Sequence, residues 1–228
     1  MRNIIRGDDA FHAWRNVMID LSTLSVFLLA VLAFFLSPGP NMAFVLSHGI
    51  AHGPRGGYAA ALGIAAADLV HTMFAAVGIT ALVAAWPPSF DLLRYAGALY
   101  LAWLAWQALR RPGSAAISQG ENGSLMRVFR MAMINNLLNP KALLFFIVFL
   151  PQFVDAGRGD VQLQLIALGA ILAIAGLAFN AVFGAFSGQV GKYLERSPRA
   201  VRYQSWFLGS VLAALALRLL LLDRPAGR

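Results

Sequence analysis

Cysteine is absent from this 228-residue chain, which excludes disulfides, zinc sites and thiol chemistry. Charge is scarce as well. Asp, Glu, Lys and Arg make up 12% of the residues, about half the usual share of a soluble domain. No Ser/His/Asp order, Gly-rich phosphate loop or paired carboxylates can be found, so nothing in the pattern points to an enzyme and no cofactor is expected. The net charge of +8 looks like a nucleic-acid signal until the charges are located. They lie mostly in short loops between apolar runs, the arrangement by which membrane proteins fix their orientation. Nucleic acid is therefore not an expected partner, and the lipid bilayer is.

What the chain has in quantity is apolar length. Hydrophobic residues reach 59%, more than a soluble domain of this size could hide and well suited to a bilayer. Six apolar segments can be drawn, most of them near the roughly 20 residues that span a membrane. They run over Leu21–Ile50, Tyr58–Ala85, Leu92–Leu109, Met131–Phe153, Leu163–Phe186 and Val201–Leu222. Trp86-Pro87-Pro88 closes the second and Arg110-Arg111-Pro112-Gly113 the third, because proline cannot continue a helix. The expected fold is an all-α membrane protein of six transmembrane helices.

The flanks are polar. Residues 1–20 mix Arg2, Arg6 and Arg15 with Asp8, Asp9 and Asp20 and lack the short apolar core and cleavage site of a signal peptide. Two readings fit: a true start at Met18, or an interfacial helix carrying Phe11 and Trp14. A linker at residues 110–126, rich in Ser, Gly and Asn from Ser114 to Ser124, separates a first three-helix repeat (21–109) from a second (127–222), with a short tail at 223–228.

Basic residues give the orientation. Arg55, then Arg110, Arg111, Arg127 and Arg130, then Lys192, Arg196, Arg199 and Arg202 occupy the loops after segments one, three and five. The other two loops carry only Arg94 and Arg158. The basic loops should be cytoplasmic, which places both termini outside. Three spans per half also means that the second half enters the membrane from the opposite side, so the repeats are inverted.

Two segments are interrupted at corresponding places: the first at Ser37-Pro38-Gly39-Pro40-Asn41, the fourth at Asn139-Pro140-Lys141. Backbone polar groups freed in hydrocarbon must be paired inside the protein or face a wet cavity, and paired breaks in two halves mark the substrate site of a carrier. Pro38 and Pro40 remove donors, Gly39 permits a turn, and a second half-helix restarts near Asn41 with its positive dipole end suited to a carboxylate. A packing kink is the plainer reading of each break. Ionisable residues within the segments are few: Asp68, His71, Lys141 and, near an end, Arg218. Asp68 follows Arg55 by thirteen residues, about 20 Å of helical rise, which brings it near the midplane. It is either a proton-coupling carboxylate or a buried acid that joins two helices. Lys141 would meet a substrate carboxylate or Asp68; otherwise it snorkels or satisfies freed carbonyls.

Weaker signals complete the inventory. His48 and His52 have metal-pair spacing without a third ligand, so no metal is expected. Gly53-x-x-x-Gly57 and Gly184-x-x-x-Gly188 suggest close helix packing. Asn135, Asn136 and Asn180 are intramembrane amides without an assignable role, although Asn180 could face a cavity.

With these residues in view, the chain resembles the LysE/RhtB family of amino-acid exporters. The matching pieces are Ser37 to Asn41, Leu62 to His71, Tyr95 to Trp106, Asn135 to Ala142 and Phe149 to Phe153. The likeness covers about Leu21 to Leu222. It implies efflux of amino acids or close derivatives from the bacterial cytoplasm across the inner membrane, driven by the proton or ion gradient. Carried over by position, Pro38, Gly39, Pro40, Asn41, Asn139, Pro140 and Lys141 would contact substrate and Asp68 would couple protons. A homodimer is compatible with this picture. The alternatives are a non-transporting membrane scaffold, whose breaks are packing features, and an exporter of a cation or metal.

Overall fold

The computed structural model describes residues 20–37, 39–86, 88–110, 123–155, 157, 159–196 and 198–221. Pro38, most of the N-terminal extension, most of the linker and the C-terminal tail lie outside these. Among the described residues there is no β-strand. Eight α-helices follow one another: α1 (Leu21–Leu36), α2 (Pro40–Ala85), α3 (Ser89–Arg110), α4 (Leu125–Leu137), α5 (Pro140–Leu144), α6 (Val161–Ala185), α7 (Ser187–Arg196) and α8 (Pro198–Leu221).

Their ends have local causes. Ser37 leaves the helical region at φ −70°, ψ 120°, and Pro40 opens α2 at the helix position where its missing N–H costs nothing. α2 has 46 residues, about 69 Å of rise and far more than the ~30 Å of a hydrocarbon core. It is divided by a kink at Gly53, whose φ of 66° suits glycine and whose neighbour Pro54 removes a further donor. Side chains of Ser124, Asn139 and Asp160 cap α4, α5 and α6. After α5 the chain widens into a π-turn at Phe145–Phe149, then tightens into a 3₁₀ turn at Leu150–Phe153 that contains Pro151.

The described helices lie over the apolar stretches of the sequence, with differences at the joints. α2 runs continuously from the first expected segment into the second, so the loop drawn around Arg55 is helical on both sides of the Gly53 kink. The basic stretch after α6 forms the separate helix α7. By length and apolar content, Pro40–Leu82 and Val161–Ala185 suffice to cross a membrane, and the pair Leu125–Leu137 and Pro140–Phe153, bent by 54°, makes a third candidate. The Leu21–Leu36 helix is a shorter apolar one.

α2 packs along α6 and α4, and α3 packs on α8. Phe27 of α1, Phe145, Phe146 and Phe149 of the π-turn, Leu101 of α3, Leu168 of α6 and Leu212 of α8 close the main core. Leu28, Leu69, Phe74, Leu99 and Ile174 point outward and are exposed, as lipid-facing positions should be. In such surroundings helices gain little from excluding water and associate through close backbone approach instead. A Cβ added at Gly57 would stand 2.6 Å from the Gly184 backbone, and one at Gly169 2.3 Å from Thr72. The two glycine motifs therefore meet each other through one member each, and α2 and α6 run antiparallel. Gly188 has nothing within 4 Å of an added Cβ.

Gly57→Leu should lower the thermal midpoint of the detergent-solubilised protein, with an overpacking cost of about 1–3 kcal/mol. Gly188→Leu should stay within about 0.5 kcal/mol of the parent. Thermal unfolding followed by size-exclusion monodispersity separates the two, and equal behaviour would argue against the Gly57–Gly184 crossing.

Candidate functional site

The site is assembled from the ends of interrupted helices. At the end of α1 the carbonyls of Phe34 and Ser37 accept from Lys141 Nζ at 3.4 and 3.0 Å. The same ammonium stands 4.8 Å from the centre of the Phe34 ring. A cation at a helix C-terminus also meets the negative end of the helix dipole. Lys141 thus completes the first break from the second one. Its own carbonyl accepts from the Tyr100 hydroxyl of α3 at 2.9 Å.

At the restart of α2, Gly39 occupies the cap position without a side-chain cap bond, and Pro40 has no N–H to offer. Among the described residues, no side-chain hydrogen bond caps this helix end. Gly39 is extended, with φ −179°, so the turn expected of it does not use glycine's special conformations. A Cβ there would lie 3.6 Å from Lys141 Nζ, an ordinary contact.

Carboxamides join the two breaks. Asn139 caps α5 by accepting from the Lys141 N–H at 3.0 Å, and its Nδ2 donates to Asn41 Oδ1 at 3.2 Å. Asn135 Nδ2 donates to the same oxygen at 3.1 Å. Asn41 Nδ2 donates to Asn136 Oδ1 at 2.7 Å, and Asn136 Nδ2 donates to Asp68 Oδ1 at 2.7 Å. Asp68 is buried on the 54–85 arm of α2, where its carbonyl accepts from the Thr72 hydroxyl at 2.8 Å.

Several of these groups line one pocket of about 30 Å³. Gly39, Asn41 and Met42 come from the restart, Ile64 and Asp68 from α2, Asn139 and Lys141 from the second break. Phe34, Phe35, Ser37 and Asn180 complete the lining. Of the expected site residues, Gly39, Asn41, Asp68, Asn139 and Lys141 are brought together. Pro40 and Pro140 are exposed outside the lining, and Pro38 is not among the described residues. His71 is buried with Nε2 3.3 Å from the Asn136 carbonyl and its ring stacked on Phe146, apart from the pocket lining. Asp68 and Lys141 share the pocket, yet no ion pair joins them among the described residues.

Asn136 and Asn135 are the residues to which sequence reasoning attached no role. Their signal was present: four Asn at positions 41, 135, 136 and 139 are frequent for segments otherwise so apolar. His48 and His52 stack at 5.9 Å, and no group of three or more metal-ligating side chains exists among the described residues.

Apolar outer faces surround a polar pocket set where helices end and restart, an arrangement compatible with a membrane protein. The chain belongs to the LysE type translocator family, whose model matches residues 32–223. It is 33% identical over 207 residues to a leucine efflux protein of Enterobacter sp. (strain 638), covering 88% of this chain and 97% of the relative. A leucine efflux protein of Klebsiella pneumoniae is 29% identical over 198 residues, covering 85% and 92%. An uncharacterised membrane protein of Pseudomonas aeruginosa is 34% identical over 209 residues, covering 88% and 96%. No solved structure matches the chain. The family is one of translocators, not of enzymes.

Lys141→Met leaves the Phe34 and Ser37 carbonyls without their donor and should destabilise the protein by about 1–3 kcal/mol. Gly39→Ala should leave the thermal midpoint nearly unchanged, since its Cβ meets only an ordinary contact. Thermal unfolding in detergent checks both, and an unaffected Lys141→Met would mean the ammonium does not complete the break.

Proposed function

We propose that this chain exports an apolar amino acid, or a close derivative, from the bacterial cytoplasm across the inner membrane by exchange for protons. The observation that carries this reading is the pocket between the two breaks, which holds the single carboxylate Asp68 beside the uncapped restart of a helix. A helix N-terminus with unpaired N–H groups favours an anion, so the substrate carboxylate meets the amides near Asn41. Phe34, Phe35, Met42 and Ile64 form an apolar wall that suits an aliphatic side chain. The leucine efflux relatives support that substrate class.

Six spans in two inverted three-helix repeats, with the first and fourth spans broken, accord with the packing. The 54–85 arm of α2 lies on α6 and α3 lies on α8, so second pairs with second and third with third. The halves rock about the pocket to open it alternately to each side, with the basic loops cytoplasmic and both termini outside. Pro40 and Pro140 serve by opening the restarted helices, while Gly39, Asn41, Asn139 and Lys141 border the substrate, as the motif that includes Pro38 suggests. Asp68 alternates between protonated and charged forms, carrying the coupling.

Proteoliposomes loaded with labelled leucine should show efflux that an imposed pH gradient accelerates. Asp68→Asn, recovered folded, should lose the acceleration. Gradient-sensitive efflux by that variant would remove Asp68 from the coupling role. No flux of any amino acid from folded parent protein would favour a non-transporting membrane subunit.

A further inference from the structure

Asn136 borders neither solvent nor the pocket lining and is 0% exposed, yet it touches both helix breaks and the carboxylate. Chemistry determines its orientation. The Ile64 carbonyl only accepts, so the atom 3.0 Å from it is Asn136 Nδ2. Oδ1 is left to accept from Asn41 Nδ2. Asn41 is oriented in turn, because its Oδ1 accepts from Asn135 and Asn139. The oxygen of Asn139 is engaged by the Lys141 N–H. Every bond therefore runs one way: Asn135 and Asn139 donate to Asn41, Asn41 to Asn136, and Asn136 to Asp68 Oδ1. Turning one inner carboxamide around would set donor against donor and acceptor against acceptor.

The other carboxylate oxygen, Oδ2, receives no hydrogen bond from a described residue. It faces α6, where a Cβ added at Gly176 would lie 3.5 Å from it. The ionisable groups around Asp68 are His71, one turn along the same helix, and Lys141 from α5. α1 and α6 contribute the neutral Phe34, Phe35 and Asn180.

We propose that Asn136 is a positioning residue for proton-coupled export: it delivers a one-way chain of donors from both helix breaks to Oδ1 of Asp68 and thereby leaves Oδ2 as the oxygen that takes the proton. This rests on the exporter reading and adds the route by which the carboxylate communicates with the breaks. A hydrogen bond to an ionised carboxylate is about twice as strong as one to a neutral group. Charging Asp68 therefore tightens its bond to Asn136, and the change is passed to Asn41 at the restart of α2. Neutralising Asp68 relaxes the same chain.

The test compares leucine counterflow without a gradient and leucine efflux driven by a pH gradient, in proteoliposomes of the full chain. In Asn136→Leu the ratio of driven to undriven flux should fall about tenfold or more, the worth of a hydrogen bond to a charged group, while counterflow stays within about threefold. Asn135→Ala, which leaves Asn139 donating to Asn41, should keep the parental ratio. Asn136→Ala removes the amide without adding a charge; it should show the same loss of ratio and serves if Asn136→Leu does not fold. A parental ratio in the folded Asn136 variants overturns the proposal. So do equal losses of both fluxes, or an equal loss of ratio in Asn135→Ala. Absence of leucine flux from the parent protein overturns the exporter reading itself, independently of any variant.

Discussion

The structure depends on one constraint: a backbone carbonyl or amide freed by a helix break in apolar surroundings must find a partner within the protein. Two helices are interrupted close together here, and each supplies what the other lacks. The end of α1 exposes carbonyls, and Lys141 from the second break reaches them. Asn139 caps its own helix with its oxygen and offers its amide to Asn41 at the first break. Side by side, they bring Gly39, Asn41 and Met42 at the start of α2 to the wall of a pocket.

That mutual dependence explains how charge is distributed in the site. A lysine and an aspartate in one pocket would be expected to pair, and the pair would be hard to part once desolvated. Instead the ammonium is held by carbonyls and the Phe34 ring, and the carboxylate by a carboxamide. Each charge is satisfied by neutral dipoles. An acid held in this way can change its charge without breaking an ion pair, as the proposed coupling role requires.

Packing around the site follows from the same surroundings. Because lipid is as apolar as a leucine side chain, the helices gain cohesion from shape, and glycine at the α2–α6 crossing lets two backbones come almost into contact. Phe145, Phe146, Phe149 and Phe153 lie where the chain departs from α-helical geometry. Phe145, Phe146 and Phe149 fill the space beside the π-turn, so the irregular stretch after α5 is held by its own side chains.

The sequence by itself determined the all-helical class, the apolar stretches, the family and the rarity of charge within those stretches, since these follow from composition and from motifs local in the chain. Asp68, Lys141, Asn41 and Asn139 stood out because polar groups are conspicuous in such company. Periodicity and local rules do not reach across about 65 to 105 residues of separation, so the partners of those groups were not legible. Only the tertiary structure decided that Lys141 serves the α1 carbonyls instead of Asp68, that Gly57 meets Gly184 instead of its own motif partner, and that Asn136 stands between the carboxylate and both breaks. The physical reason is that a buried polar group is satisfied by whichever neighbour the fold delivers, and that neighbour is a property of packing, not of the local chain.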